Sequence, residues 1–433
     1  MIQVTNGIWR PVLSANDCAR SGVVARDLTA AIRAEYLQPS ASRWSPWDDY
    51  SFSEGSAGIA LLFAAMAQFD PDESYVQEAL IALAHAVDGF AKSTPKLGFL
   101  DGIAGVYWSC RYLYERWPHA FSDHPTSDAD VLLHDTLRAL ATERATFDFT
   151  DGLAGLGVYA VSDPRDNVSR EIASLIVERL DALAKRDGDG AFWRTHPAHS
   201  PPIKLLKHPA GYTELGVATG QAGVVGFLAQ CLSSEIAVDR CSRLLHSAVR
   251  WLLRHRLPPS NRAAFAETAG SMTSRLAWCT GGLGIAVAIG LAGRVTGSDE
   301  WSQLSREVAV TVVQQTDAES RVVDASLCHG SAGVLLALCR LYDMHGAESL
   351  REAAQHWWSR TMGFRENEGV GGYRGARLII EGTVAWKKPR GIQFGAAGVA
   401  LALLAASTFE EPTWDSALLM SLPRRFARSP QTN

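Results

Sequence analysis

The sequence has little of what marks a nucleic-acid binder, a membrane protein or a disulfide-stapled secreted protein. Only 20% of its 433 residues are charged, and 41 Lys and Arg stand against 46 Asp and Glu, for a net charge of −5. Without a basic excess there is no electrostatic footprint for nucleic acid, and no nucleic-acid partner is expected. Long hydrophobic runs are missing too. The longest weakly polar stretch, Gly281 to Gly293, stops at Arg294, short of the roughly 18 residues a span requires, so an integral membrane protein is not expected. Met1 to Ser14 lacks the basic start and apolar stretch of a secretion signal. Cysteines are few and odd in number: Cys18, Cys110, Cys231, Cys241, Cys279, Cys328 and Cys339. Scattered over so long a chain they form no disulfide framework, and they point to a reduced, cytoplasmic protein.

What the chain does have is apolar bulk and glycine. Counting glycine and leaving out tyrosine, about 53% of residues are apolar, above the usual 45–50%, enough for a large core. One word recurs, Gly-x-x-Gly before an apolar run. It stands at Gly55–Gly58, Gly102–Gly105, Gly152–Gly155, Gly220–Gly223, Gly281–Gly284, Gly330–Gly333 and Gly395–Gly398, at spacings of 47, 50, 68, 61, 49 and 65 residues. The runs that follow, such as Ile59–Phe69, Val106–Trp117, Ile285–Val295 and Val399–Ala406, are apolar nearly all round, as interior helices are. Between them lie segments with one apolar helical face: Tyr75–Lys92, Ala129–Arg144, Val168–Lys185, Arg240–Arg254 and Ser349–Met362.

This alternation predicts an all-α fold, an (α/α) toroid: a double-layered helical barrel whose seven glycine turns gather at one end. Length alone suggests about three domains; the repeat favours one domain over 1–433. Residues 1–50 would be a lead-in, and 364–394 a glycine-rich loop before the last inner helix, more a connector than a cover. Glycine would let the start of each inner helix approach its neighbours and supply a positive φ where needed.

Aligning the turns brings chemistry into register. The residues just before each first glycine are Glu54, Asp101, Asp151, Thr219, Thr280, His329 and Phe394; one step earlier stand Ser53, Leu100, Thr150, Ala218, Cys279, Cys328 and Gln393. Two of seven cysteines thus share one position in adjacent repeats, with a histidine beside the second. Singly, each is a small core residue. Together, Cys279, Cys328 and His329 would converge, and two thiolates with an imidazole are a zinc ligand set that leaves a fourth position open. The other five cysteines have no such register and are expected in the core or at the surface.

Trp278-Cys279-Thr280-Gly281 and Cys328-His329-Gly330, set in seven Gly-x-x-Gly turns, resemble the lanthionine synthetase C-like family, the lanthipeptide cyclases, from about Ser51 to the C-terminus. The resemblance implies one zinc ion held by Cys279, Cys328 and His329. It implies an enzyme that activates cysteine thiols of a dehydrated precursor peptide and adds them to dehydroalanine or dehydrobutyrine, closing thioether rings. A dehydratase and exporter complex are the partners it suggests. Asp148, four residues before a turn glycine, and Arg275, four before Cys279, match family residues near the metal. From composition alone, Asp148 reads equally as a helix cap or turn residue and Arg275 as a solvated surface arginine.

One turn departs from the family pattern. Thr219 stands where the family carries a histidine assigned to acid–base work, and threonine does not exchange a proton near neutral pH as imidazole does. Thr280 likewise stands where many members have an aromatic residue. Three readings follow. Another group supplies the proton, with His196, His199 and His208 of the loop 188–211 as candidates beside their reading as a solvated, proline-punctuated loop. Zinc and Arg275 suffice, with water as the donor. Or the chain is a catalytically reduced, peptide-binding scaffold. A zinc enzyme adding a small thiol such as glutathione to dehydro residues is a further alternative.

Overall fold

A computed structural model describes residues 9–37, 50–94, 96–139, 145–378 and 384–423. The basic tail beyond Pro423 lies outside them. Seven inner helices follow the seven glycine words: Ser56–Phe69, Ile103–Arg116, Leu153–Ala160, Gln221–Ser233, Gly282–Thr296, Ser331–His345 and Ala396–Ser407. Each begins immediately after its first glycine, three residues earlier than the apolar runs predict. The second glycine of every word is therefore the third helical residue.

Sterics explain why it must be glycine. A Cβ on Gly58, Gly105, Gly155, Gly223, Gly284, Gly333 or Gly398 would lie only 1.8–2.3 Å from the carbonyl oxygen of the residue six before it. At the first glycines the demand is for close approach more than for positive φ. Only Gly281 has positive φ, at +79°; the other six lie between −100° and −136°. What glycine provides there is mainly closeness, as at Gly102, where a Cβ would lie 2.6 Å from the Lys96 and Gly98 carbonyls.

No side chain caps these helices. The turns fold back and cap them with backbone carbonyls instead: Ile103 N–H donates to Lys96 O (2.9 Å), Leu153 to Thr146 (2.9 Å), Gln221 to Glu214 (3.1 Å) and Ser331 to Asp324 (3.0 Å). Orphan donors of the first helical turn are thereby satisfied without water.

Outer helices run Ala15–Leu37, Ser74–Ala91, Ser127–Ala139, Asn167–Leu183, Val238–Leu253, Asp299–Val312 and Glu348–Gly363. In Asn167–Leu183, Asp166 caps the Ser169 N–H, and Ile172, Ile176, Val177 and Leu180 are buried. Full burial of such a side chain contributes about 1.5–3 kcal/mol. Contacts join each inner helix to the next, and the last to the first. The outer helix Ala15–Leu37 packs against the last inner one. Trp9 Nε1 donates to Ala405 O (3.0 Å) and Val12 N to Ala406 O (3.1 Å) beside that join. The architecture is a closed helical barrel.

Among the described residues sheet is confined to two antiparallel strand pairs, β1 Lys185–Asp187 with β2 Gly190–Phe192, and β3 Gly375–Leu378 with β4 Val384–Lys387. The buried carboxylate of Asp324 fastens β3 to the sixth turn by accepting from Ala376 N (2.7 Å) and Ser326 N (2.9 Å). Away from the turns, Arg340 forks onto the fully buried Asp415 at 2.6 and 2.8 Å and pins the segment Thr413–Leu418.

At the mouth the turns join one another. Ser53 N–H donates to Leu100 O (2.9 Å), Leu100 to Thr150 (3.3 Å), Thr150 to Ala218 (3.2 Å), Ala218 to Cys279 (3.0 Å), Cys279 to Cys328 (3.3 Å), Cys328 to Gln393 (2.9 Å), and Gln393 back to Ser53 (2.9 Å). These are the same seven residues that the sequence alignment of the turns sets in register. The rim is a closed circle of backbone hydrogen bonds.

Candidate metal centre

The circle places Cys279 and Cys328 on neighbouring turns, and His329 follows Cys328 on the rim. A sulfur from each cysteine and a ring nitrogen of His329 lie within 4.8 Å of one another. Zinc–sulfur bonds near 2.3 Å and zinc–nitrogen bonds near 2.0 Å put tetrahedral donors about 3.5–3.8 Å apart, so this set can close on one ion with small side-chain adjustment. Cys328 is buried, whereas Cys279 and His329 are partly open, which leaves a solvent-facing side for a fourth ligand. Gln393 Nε2 donates to Cys328 Sγ at 3.6 Å, and the His329 ring packs 5.5 Å from Phe394.

The electrostatics favour a cation. A hydrogen bond to the Cys328 thiol, then burial, push the Cys279 thiol well above its ordinary value, with His329 pulling it back. Two adjoining thiols therefore resist ionising together unless a positive ion sits between them, and such an ion deprotonates a coordinating thiol outright.

The remaining predicted residues lie on the preceding turns. Asp148 accepts from Thr150 Oγ1 (2.6 Å) and Asp151 N (3.0 Å) of its own turn, the arrangement of a turn aspartate. Its charge, after burial, helps to raise the Asp151 carboxyl. Arg275 is partly open and lowers the pKa of Glu267, second to Lys204. Thr219 donates its hydroxyl to Glu214. His196 accepts from Ala198 N (3.2 Å) within its own loop, and the His208 ring lies 5.5 Å from Tyr212. The side chain of that loop that reaches the fourth turn is Lys204, whose Nζ donates to Glu214 (2.7 Å) and Glu267 (2.5 Å).

Glu214 and Lys204 were not singled out by spacing. A signal for Glu214 was present, since it stands six residues before its turn glycine, as Arg275 does in the next turn. Of the cysteines outside the register, Cys110, Cys231, Cys241 and Cys339 are buried and Cys18 is partly open.

The fold and site together define a helical-barrel protein with a Cys/Cys/His group at its glycine-turn mouth. The chain belongs to the lanthionine synthetase C-like family, whose pattern it matches over residues 46–419. Among solved structures it is similar to nisin cyclase, with a TM-score of 0.76 at 16% identity, covering 92% of this chain and 98% of that one. That likeness shows the fold. Weaker likenesses, at TM-scores of 0.44 and 0.43, are to cellobiose 2-epimerase from Bacillus thermoamylovorans B4167 (9% identity, 89% and 98% coverage) and an α-1,6-mannanase of Salegentibacter sp. HEL1_6 (11% identity, 90% and 100% coverage). No curated protein matches the chain by sequence. Among the described residues no helix is long and apolar enough to cross a membrane.

Proposed function

We propose that this protein is a zinc-dependent peptide cyclase that adds cysteine thiols to dehydroalanine or dehydrobutyrine in a ribosomally made peptide, forming lanthionine-type rings. The observation that carries the proposal is the convergence of Cys279, Cys328 and His329 within 4.8 Å at the rim of a barrel of this family. These three residues would hold the metal. Zinc bound by them would supply the Lewis acidity that makes a thiol a nucleophile at neutral pH.

The chain's own residues do the rest. Closure of the rim holds the ligand turns rigidly, so the thiol is presented from one direction. Attack on the β-carbon shifts an electron pair toward the neighbouring carbonyl. Arg275, four residues before Cys279, is the group proposed to stabilise that developing charge. Asp148, fixed by Thr150 and the Asp151 N–H, serves as a rigid acceptor that orients substrate.

The test supplies a dehydrated precursor peptide, with and without the zinc-loaded protein, and follows thiol loss by alkylation and mass spectrometry. Rings forming faster with protein support the reading. No acceleration at full zinc occupancy overturns it in favour of a peptide-binding scaffold. A glutathione mass on the peptide in a parallel reaction, without rings, points to small-thiol addition instead.

A further inference from the structure

On the turn before the one that bears Cys279 lies a chain of polar contacts separate from the Cys/Cys/His group. Glu214 is only 7% exposed. Its backbone is locked, because Gln221 donates to its carbonyl through both N–H and Nε2. Its carboxylate takes one hydrogen bond from the Thr219 hydroxyl and one from Lys204 Nζ. Lys204 is held a second time by Glu267, and its ammonium lies 5.5 Å over the Tyr212 ring. Lys204 is 25% exposed, so the chain runs from solvent to the rim. At the rim, Thr219 occupies the position that Thr280 occupies in the next turn. Ala218 N donates to Cys279 O (3.0 Å), and a Cβ on Gly216 would lie 2.7 Å from Thr280 Cα. The two turns are in backbone contact, which places Thr219 on the turn next to the one that bears Cys279.

A buried carboxylate costs several kcal/mol in desolvation unless it is paired and hydrogen-bonded. The pairing here uses a lysine brought in by a separate short helix, Pro202–Lys207. We propose that Lys204, Glu214 and Thr219 form the proton path of this site, delivering the proton that the α-carbon takes up after thiol addition. The inference rests on the cyclase reading.

The step balances. The substrate thiol loses its proton to solvent; the sulfur–β-carbon bond forms, the carbon–carbon π bond breaks, and its electron pair moves onto the α-carbon and carbonyl. Thr219 turns its hydroxyl proton from Glu214 toward the α-carbon while Lys204 passes a proton to the Glu214 carboxylate and Glu214 hands it on to the Thr219 oxygen. Water then returns a proton to Lys204. A threonine alone cannot hold this proton, but a hydroxyl shared with a carboxylate can pass one. Burial pulls the Lys204 pKa down, but its charge and hydrogen bonding with Glu214 and Glu267 more than offset this, so the resting pair is ionic and the proton moves only as charge develops on substrate. Thr219 is the catalytic residue of the three; Glu214 and Lys204 act through it. Because the proton arrives from one side, the path also sets the configuration of the new stereocentre.

The experiment compares wild type with Glu214→Gln, which keeps the shape and an acceptor for Thr219, and with Lys204→Met and Thr219→Val. Zinc content and far-UV circular dichroism verify each variant. Ring formation slowed by about 10²–10⁴-fold, with zinc retained and mixed α-carbon configuration by chiral-column analysis of the hydrolysed rings, supports the path. Rings made at the wild-type rate with a single configuration overturn it and leave the cyclase reading intact. Slow rings of a single configuration assign the three residues a structural role and overturn it as well. If wild type forms no rings, the cyclase reading itself has failed, and the path with it.

Discussion

The backbone N–H of Cys279 donates to the carbonyl of Cys328 at 3.3 Å. This bond sets the two cysteine-bearing turns side by side, and contacts between the side chains, with Gln393 Nε2 on Cys328 Sγ, complete the placement of the sulfurs. Both residues are also bonded onward, Cys279 O to Ala218 N and Cys328 N to Gln393 O, so neither backbone station can drift without opening the rim. The Cys/Cys/His cluster is a by-product of how the barrel closes.

Zinc content should follow directly. Wild-type protein purified without chelator is expected to carry about one zinc per chain. Cys328→Ala, left with two protein ligands, should fall below roughly a tenth of that while remaining helical, since catalytic sites of this kind use three. Elemental analysis beside circular dichroism checks both halves.

Arg275→Gln should keep its zinc and lose activity. If its guanidinium faces the developing negative charge, ring formation slows by about 10²–10³-fold. Substrate binding, followed by fluorescence anisotropy of a labelled peptide, should change little.

Two glycine substitutions should differ in sign. In Gly333→Ala the new Cβ would fall 1.8 Å from Leu327 O, and the turn bearing Cys328 and His329 must move, at about 3 kcal/mol or more. Gly363→Ala, at the end of an outer helix with nothing within 4 Å, should stabilise by about 0.5–1 kcal/mol. Chemical denaturation of the two variants measures the contrast.

Stability should fall in mild acid through His345. Its Nε2 lies 2.9 Å from Ser305 Oγ, and that hydroxyl donates to Ala286 O, so the neutral ring carries its proton on Nε2. Burial, with Arg306 adding to it, lowers its pKa from 6.5 to about 4. The unfolded chain takes up a proton below 6.5 and the folded one does not. The contribution is therefore complete above pH 6.5, is lost between 6.5 and 4, and changes no further below. It amounts to about 2–3 kcal/mol after allowance for partial exposure. His345→Gln should flatten that part of a stability-versus-pH curve.

Removing one partner of the buried pair at the far end should cost more. Arg340→Met leaves the Asp415 carboxylate, 0% exposed, without its fork, a loss of about 3–5 kcal/mol. The double variant with Asp415→Asn should recover part of it in thermal melts.

The glycine words were legible because each answers a local backbone demand, and seven such demands in a row disclose the barrel. The convergence of Cys279, Cys328 and His329 was legible for the same reason: register in sequence becomes adjacency on the rim. Other parts were not. Ala15–Leu37 completes the outer layer, yet it lies in the stretch read as a lead-in and shows no strong apolar face. Sequence does not say which of the first glycines needs positive φ; it is Gly281, and the others provide the backbone closeness expected of them. Glu214 shares a station with Arg275, but its meaning depends on Lys204, ten residues earlier on a separate helix. No spacing rule predicts a contact that tertiary folding supplies.

Seven equivalent stations around one hoop amount to a dial. Backbone bonding is indifferent to which side chains the stations carry, so the barrel is a chassis and the chemistry an inscription on it. Writing Cys, Cys and His into another adjacent pair of turns, such as those at Leu100 and Thr150–Asp151, would rotate the reactive centre around the axis while leaving the frame unchanged. The position of the site is in that sense editable, and only three letters record it.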